Sequence, residues 1–432
     1  MDTDPKLKWL FLDLNSFFAS VEQNEAPHLR GKPVAVVPSN TEHTCAIAAS
    51  YEAKAYGVKT GTIISDAKQM CPNLICVPAR HDIYVQYHNR ILEEFIKHAP
   101  INKVWSIDEL SSRLPPSKRN VKGASQIARN LKNGLWNNIG PAINCSIGVA
   151  PNALLAKIAG NMQKPDGLTF LDKDDLPGPL LNLKLTDLTG IGENMKKRLN
   201  RASIITMQDL WDTSPKQARK IWGSVQGERF WYWLHGYDFE APETKDKCMI
   251  GHSRVLDPQM RTPEAARQMA RRLLTKATYR LRRGEYFAQT LSLGVRTSNY
   301  GGPEQKWRRE IRLPNPAQDP FTFLEHLETL WTMMLIDLNA SNRHNFKLKK
   351  VSTLLMNLHH VEHITGDMMT ERYKEKLNTL KKRESLATAL DTLQTKYKHE
   401  TVTLGRPPKT LSGYVGTKIA FSRVPDTEEF WH

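Results

Sequence analysis

The hydrophobic residues of this chain come in short bursts, and the spacing within each burst predicts its element. Trp9-Leu10-Phe11-Leu12 is unbroken and runs straight into Asp13, the pattern of a strand covered on both faces. Pro33-Val34-Ala35-Val36-Val37, Cys45-Ala46-Ile47-Ala48-Ala49 and the run Ile143 to Val149 read as further short buried strands. Between them, Tyr84, Tyr87, Ile91, Leu92 and Phe95 recur at helical spacing across residues 82–98, and a second helix is expected from Asn152 to Gln163. Strand and helix patterns alternate through roughly the first 175 residues, which predicts an α/β fold with a mixed sheet.

The texture changes near residue 180. Leu188-Thr189-Gly190-Ile191-Gly192-Glu193-Asn194-Met195 sets two glycines just before a Lys- and Leu-containing helix. Such a turn exposes backbone N–H groups that hold a phosphate without reading a base, and it serves equally as an ordinary helix–turn–helix connection. Residues 241–247, Ala-Pro-Glu-Thr-Lys-Asp-Lys, are polar and aperiodic and read as a linker. Beyond it, a helix from Pro263 to Arg283 places Ala266, Met269, Leu273 and Leu281 on one side. In the strand Thr290 to Arg296, Leu291, Leu293 and Val295 share a face and Arg296 takes the other; in Trp307 to Leu313, Arg308 and Arg312 lie opposite Trp307, Ile311 and Leu313. A Lys-rich helical stretch, Thr370 to Tyr397, and a Gly/Pro-containing tail complete the chain, which has no internal repeat.

Composition narrows the reading. The 432 residues suit two to four domains, and a hydrophobic content of 40% supports packed cores. The net charge is +16, and residues 247–361 hold 19 Lys and Arg against 9 Asp and Glu. This excess favours a polyanionic partner, nucleic acid ahead of an acidic membrane surface. No run of about 18 apolar residues is present, so no transmembrane helix is expected. Met1-Asp2-Thr3-Asp4-Pro5 lacks the makings of a signal peptide, so a cytoplasmic location is expected. The five cysteines are scattered without a metal-binding spacing; Cys71 and Cys76, flanking a helix-to-strand turn, read as structural thiols.

The candidate chemistry sits where apolar strands deliver acids: Asp13 after the first burst, and Asp108-Glu109 after Val104-Trp105-Ser106-Ile107. Carboxylates at such strand ends can converge, and three converging carboxylates suit a two-Mg²⁺ phosphoryl-transfer centre. Any one of these acids taken alone would be a solvated strand end.

Six blocks in order then carry a resemblance. Asp13 with Phe17-Phe18-Ala19-Ser20-Val21-Glu22 comes first, followed by Ser50-Tyr51-Glu52-Ala53-Lys54-Ala55-Tyr56-Gly57-Val58 and Ser106-Ile107-Asp108-Glu109. Cys145-Ser146-Ile147-Gly148-Val149-Ala150-Pro151-Asn152 follows, with Leu155-Ala156-Lys157-Ile158-Ala159 and Lys164-Pro165-Asp166-Gly167 after it. Together these resemble the Y-family (translesion) DNA polymerases, nearest the DNA polymerase IV branch, over roughly residues 8–360. The resemblance implies an α/β multi-domain (α+β) right-hand polymerase. Residues 1–24 and 86–176 would form the palm, 25–85 small fingers and 177–240 a helical thumb. A basic little finger (248–361) would follow the linker, with a C-terminal helical tail (362–432). It implies that Asp13, Asp108, Glu109 and the Leu14 carbonyl bind two Mg²⁺ ions, and that Phe18 gates the 2′-hydroxyl of a dNTP with Phe17 near its base or sugar. Tyr51, Lys54 and Lys164 would hold the triphosphate. Primer-template DNA would be gripped by Gly190, Gly192, Arg254, Arg296, Arg308 and Arg312.

Some positions depart from the family pattern. Lys54 stands where Arg is usual and loses the bidentate fork; Ala48 replaces a hydroxyl-bearing residue; Asn15 replaces a common second Asp. Relatives often carry a Gln-Leu-x-Leu-Phe peptide for a sliding clamp. The corresponding Val361-Glu362-His363-Ile364-Thr365-Gly366-Asp367 does not match it, and Gln289-Thr290-Leu291-Ser292-Leu293 is better explained by strand alternation. A second reading, a catalytically silent DNA-binding adaptor in a mutagenesis complex, would be expected to lack the acids that are present here. A nucleotide cyclase sharing a palm-like sheet leaves the basic C-terminal region unexplained.

Overall fold

The computed structural model describes residues 7–39, 41–240, 249–298, 304–340, 346–361, 371–397, 402, 404–405, 419 and 424–426. The expected linker, residues 241–247, lies outside the described residues. The chain divides into two compact units, the first comprising residues 1–242 with 417–427 and the second residues 243–416 with 428–432.

The first unit is built on a five-stranded mixed sheet. Strand β1 (Trp9–Leu14) lies at its centre, antiparallel to β6 (Glu109–Arg113) on one side and β7 (Cys145–Ala150) on the other. The short strand β5 (Lys103–Val104) flanks β6, and β8 (Leu168–Phe170) runs parallel to β7. Leu10, Phe11 and Leu12 are almost wholly buried, as an unbroken apolar run requires. Helices α5 (Val121–Gly134) and α6 (Ala153–Met162) pack on this sheet, and α4 (His81–Ile96) packs against α5 and α1 (Phe17–Glu25). Asn152 caps α6 by accepting a hydrogen bond from the Leu155 N–H at 2.9 Å.

Residues 34–78 form a small three-stranded sheet: β2 (Val34–Val37) between β3 (Ala48–Ala49) and a parallel β4 (Ile75–Pro78), with α2 (Tyr51–Ala55) and α3 (Ile64–Met70). The expected strand over 45–49 shrinks to two residues. Cys45 pairs instead with Ile63 in an isolated bridge, because Ala46 bonds to the 61–62 loop rather than to β2, its N–H donating to the Thr62 carbonyl and its carbonyl accepting from the Gly61 N–H. Four helices complete the unit: α7 (Glu193–Arg201), α8 (Met207–Trp211), α9 (Pro215–Trp222) and α10 (Val225–Leu234). Thr206 with Asp209, and Ser214 with Gln217, are reciprocal capping boxes that fix the starts of α8 and α9. Leu188, Ile191, Leu199, Phe230 and Leu234 join Phe11, Leu155 and Ala159 in one core, so these helices are seated on the sheet side of α6.

The second unit is a four-stranded antiparallel sheet in the order β11 (Lys306–Ala317), β10 (Tyr286–Thr297), β12 (Leu348–His360), β9 (Met249–Val255). Helices α11 (Pro263–Arg283) and α12 (Pro320–Ala340) cover one face, burying Ala266, Met269, Leu273 and Leu281 with Leu291, Leu293 and Val295. The two periodicities, 3.6 and 2, therefore meet in a single core. A final helix, α13 (Glu371–Tyr397), is held by Arg282 on Asp391 and Arg383 on Glu325, with Ala387 buried. No helix among the described residues is long and apolar enough to cross a membrane.

The backbones of β7 and α6 approach closely at Gly148, where a Cβ would lie 1.9 Å from the Ala156 carbonyl oxygen and 2.3 Å from the Gly160 nitrogen. Gly148→Ala must therefore push α6 off the sheet. We expect it to cost about 3 kcal/mol or more in urea denaturation, whereas Gly178→Ala, where an added Cβ meets nothing within 4 Å, should leave the midpoint nearly unchanged. Equal midpoints for the two variants would contradict the packing described.

Candidate active site

Two strands and one turn bring the three acids together. Asp13, the penultimate residue of β1, faces Glu109, the first residue of β6, across the ladder, so their Cβ atoms lie on the same side of the sheet about 5 Å apart. The segment before Asp108 is not the long apolar strand that Val104 to Ile107 suggests. Strand β5 stops at Val104, and Trp105 to Asp108 form the tip of a hairpin closed by the Trp105 N–H donating to the Glu109 carbonyl at 2.9 Å. Trp105 is thereby spent on closing the turn, its indole N–H donating to Ser111 Oγ at 2.9 Å. The Leu14 N–H donates to the Asp108 carbonyl at 2.9 Å, tying the tip to the end of β1.

Each carboxylate is engaged. Lys164 Nζ is 2.7 Å from Asp13 Oδ2, Lys157 Nζ is 2.7 Å from Glu109 Oε2, and the Ser106 hydroxyl donates to Asp108 Oδ1. Burial pushes the Asp13 carboxyl up to about 6; Lys164 opposes this, while the charges of Asp108 and Glu109 add to it. Burial raises Asp108 as well, with Glu109 contributing and the Ser106 hydrogen bond opposing. The acids thus feel one another's charge. Among the described residues, no three His, Cys, Asp or Glu side chains are gathered into a ready-made metal cluster. The donor set nevertheless fits a hard divalent cation: three carboxylates, crowded and mutually repelling, with oxygen atoms only.

The phosphate-binding candidates lie beside the acids. Tyr51 and Lys54 are on α2, with the Lys54 ammonium 4.2 Å above the Tyr51 ring and donating to Ser16 Oγ at 2.7 Å. Ser16 adopts a left-handed conformation (φ 51°) at the start of α1. The Tyr51 phenol is raised by burial and then by Asp13, while Lys54 is lowered by burial and then by Lys164. One field therefore joins Tyr51, Lys54, Lys164 and Asp13. Asn15 is buried and structural: its amide exchanges hydrogen bonds with Ser146 Oγ, and its Oδ1 accepts from the Asp166 N–H at 2.8 Å, fixing the loop that carries Lys164.

The two phenylalanines part company. Phe18 is half-buried and stacks on Tyr84 with ring centroids 4.3 Å apart and planes 13° apart. Phe17 is 3% exposed and lies in the core, its ring centroid 5.9 Å from that of Phe18. Tyr84 donates to Glu22 Oε1 at 2.7 Å, and Arg80 forks onto the same buried carboxylate at 3.1 and 2.6 Å.

Sequence reasoning gave no role to Lys157, Ser106, His88 or Tyr84. His88 of α4 is buried with Nδ1 2.7 Å from the Ile107 carbonyl, so it pins the residue before Asp108. Lys157 had a visible signal: it is the lone charge in Ala153-Leu154-Leu155-Ala156-Lys157-Ile158-Ala159. Tyr84 and His88 had none, since both sit on the apolar stripe of α4.

The DNA-binding candidates are distributed among separate elements. Gly190 (φ 96°) and Gly192, the residue preceding α7, are both exposed, as a phosphate-facing turn would be. Arg296, Arg308 and Arg312 share one face of the second unit's sheet, where Gly294 pairs with Arg308 and Thr290 with Arg312. Arg254 is not on that face. It pairs with Val351, which is buried under the helices with Val295, and its side chain is only 10% exposed, 3.8 Å from Asp257. The odd–even alternation of β9 turns it inward. In β10, Leu291 and Leu293 are fully buried, so Gln289 to Leu293 presents no clamp peptide; residues 362–367 of the other candidate stretch lie outside the described residues.

Comparison with known proteins agrees with this layout. The pattern of the impB/mucB/samB family matches residues 12–161, and that of its C-terminal domain matches residues 248–368. The DNA polymerase IV of Moorella thermoacetica is 36% identical over 330 residues, covering 74% of this chain and 80% of that protein. The DNA polymerase IV of Pelotomaculum thermopropionicum is 34% identical over 298 residues, covering 67% and 73%. Among solved structures, a Y-family DNA polymerase chimera of Dbh and Dpo4 shares the fold with a TM-score of 0.67 at 23% identity, covering 82% of this chain and 99% of that one. The insertion ternary complex of Dbh DNA polymerase aligns with a TM-score of 0.52 at 25% identity over the same shares.

The burial of Asp13 has a consequence for stability. Folding raises the Asp13 pKa, so the ionised carboxylate costs folding free energy above about pH 6, and the cost fades as the proton returns below it. In metal-free buffer at pH 7.5, Asp13→Asn should therefore stabilise the first unit by up to about 3 kcal/mol. The gain should vanish by about pH 4. Thermal melts of both proteins across that range check this; a gain that grew towards low pH would contradict it.

Proposed function

The chain belongs to the impB/mucB/samB family, and from that membership we propose that it extends a primer 3′ end by template-directed addition of deoxynucleotides, releasing pyrophosphate. It is a DNA-directed DNA polymerase of the translesion type, and it binds DNA. The observation that carries the mechanism is the opposition of Asp13 and Glu109 across β1 and β6, with Asp108 at the adjoining hairpin tip.

Polymerases of this family depend on a divalent metal. Asp13, Asp108, Glu109 and the carbonyl of Leu14 are the residues that would hold two Mg²⁺ ions, which supply a more acidic primer hydroxyl and charge neutralisation on the triphosphate. The remaining work falls to the chain's own side chains. Lys164 and Lys54 offer two ammonium groups to the triphosphate of a dNTP, and Tyr51 a hydroxyl. Lys54 binds as a point charge, without the planar fork of an arginine, so its grip is less geometrically selective. Phe18, propped on Tyr84, presents the flat ring on which a deoxyribose lies and which a 2′-hydroxyl would strike.

The residue ranges follow the same logic. Residues 1–24 and 86–176 are assigned to the palm, 25–85 to the fingers, 177–240 to the thumb, 248–361 to the little finger and 362–432 to a C-terminal tail. Fingers of about 60 residues leave an open site with little geometric checking, which supports low fidelity and bypass of damaged bases. Gly190 and Gly192 would hold a DNA phosphate through backbone N–H groups, and Arg296, Arg308 and Arg312 would line the backbone from the sheet face. Arg254 is withdrawn from that role. No recognisable clamp peptide supports a sliding-clamp partner. The workplace of such an enzyme is the chromosome, hence the cytoplasm of a bacterium.

Two experiments test the assignment. Asp108→Ala or Glu109→Ala should reduce Mg²⁺-dependent primer extension below detection while leaving affinity for primer-template DNA within about two-fold; near wild-type extension by either variant would remove the acids from the mechanism. Phe18→Ala should raise ribonucleotide insertion relative to deoxyribonucleotide by on the order of 10- to 100-fold, measured as the ratio of kcat/KM values. An unchanged ratio would take the gate away from Phe18.

A further inference from the structure

We propose that Lys157 is a counter-ion built into the resting site, an ammonium that stands beside Glu109 in place of a divalent cation and competes with one for that carboxylate. The inference rests on reading Asp13, Asp108 and Glu109 as a divalent-cation site.

Lys157 is the one charged residue of α6, in a helix whose neighbours Leu155, Ala156, Ile158 and Ala159 are fully buried. An exposed lysine would need no particular place. This one projects at the acids: its Nζ is 2.7 Å from Glu109 Oε2, with the two side chains 21% and 20% exposed. Lys164 makes the matching contact with Asp13 at 2.7 Å. The third lysine, Lys54, bonds to the Ser16 hydroxyl and lies over the Tyr51 ring. The acids at this end of β1 and β6 are thus met by two directly paired ammonium groups, one for each of the residues that face each other across the β1–β6 ladder.

Such a pair can work in two ways. Lys157 can orient Glu109 so that its other oxygen is presented to a cation, in which case removing the lysine weakens cation binding. Or it can neutralise Glu109 until a cation arrives, in which case removing it strengthens binding. Electrostatics favours the second. A fixed positive charge within hydrogen-bonding distance of a ligand oxygen repels any cation approaching that oxygen, and the low-dielectric wall of α6 strengthens the repulsion. The ammonium also has an alternative seat, because it already lies 5.3 Å from the centre of the Phe11 ring, within cation–π range. Lys157 can therefore give up Glu109 without being left unpaired.

The test uses the full-length, DNA-free protein and Mn²⁺ as the probe, with free Mn²⁺ followed by electron paramagnetic resonance. Asp13→Asn marks which binding belongs to this site. Lys157→Met, which keeps the length and loses the charge, should bind Mn²⁺ about two- to five-fold more tightly than the wild type, the range set by a partly exposed ion pair. Without metal it should melt below the wild type, and saturating Mn²⁺ should close that gap. Lys157→Gln should give the same pattern and serves if Lys157→Met does not fold, and Lys157→Arg should keep the wild-type affinity. Unchanged or weaker binding by the neutral variants overturns the counter-ion role. If the wild type shows no Mn²⁺ binding that depends on Asp13, the cation-site reading itself fails and takes this inference with it.

Discussion

Three buried carboxylates, two of them on directly opposed strands, lie within reach of one another's charge, and much of the first unit can be understood as the means of holding them there. Asp13 is carried by a strand buried on both faces, where neither backbone nor side chains can yield. Asp108 sits at a hairpin tip tied down by the Leu14 N–H on its carbonyl and by His88 on the carbonyl before it. Ammonium groups from two separate segments meet Asp13 and Glu109. Buried acids that feel one another's charge are stabilised by any cation that reaches them, and here the chain's own ammonium groups supply that charge.

The side of the site that carries Phe18 depends on a second buried charge. Glu22, 2% exposed, accepts from both Arg80 and Tyr84, and Tyr84 lies flat against Phe18. Burial raises the Tyr84 phenol, with the Glu22 charge adding to it, so the hydroxyl stays protonated and donates. Breaking this network from either partner would leave a desolvated carboxylate and cost several kcal/mol. Phe18 is therefore a stiff surface. Because Glu22 lies on α1 and Arg80 just before α4, the same ion pair that steadies the Phe18–Tyr84 stack also ties together the two ends of the intervening segment.

The second unit solves a different problem, presenting cations without burying them. From Thr290 to Arg296 its central strand alternates, so apolar residues go under α11 and α12 while Arg296, Arg308 and Arg312 stay on the other face. There they are partly paired, Arg308 with Glu310 and Arg296 with Glu304. Exposed pairs of that kind are weak and readily exchanged for phosphate oxygens. Arg254 shows the limit of counting charge by region: one position of register turned it inward, to the helix side.

What the sequence determined by itself was whatever depends on local periodicity and on residue order. The unbroken run of Trp9 to Leu12, the helix of residues 81–96, the span of α11 and the alternation of β10 all reflect patterns of 3.6 or 2 that a chain carries whether folded or not. The acids and the order of the family blocks were legible in the same way. Tertiary structure decided what depends on residues far apart in the chain: that Lys157 would meet Glu109, that Tyr84 would lie under Phe18 and that His88 would hold the Ile107 carbonyl. It also decided that Phe17 would be core and not surface, and that Val104 to Ile107 would be mostly turn. An apolar stripe reveals that a residue is buried but not against what, and a charged side chain acquires its partner only when two strands or a strand and a helix are brought within a few ångströms. Those meetings are set by the packing of whole elements, which no window of the sequence contains.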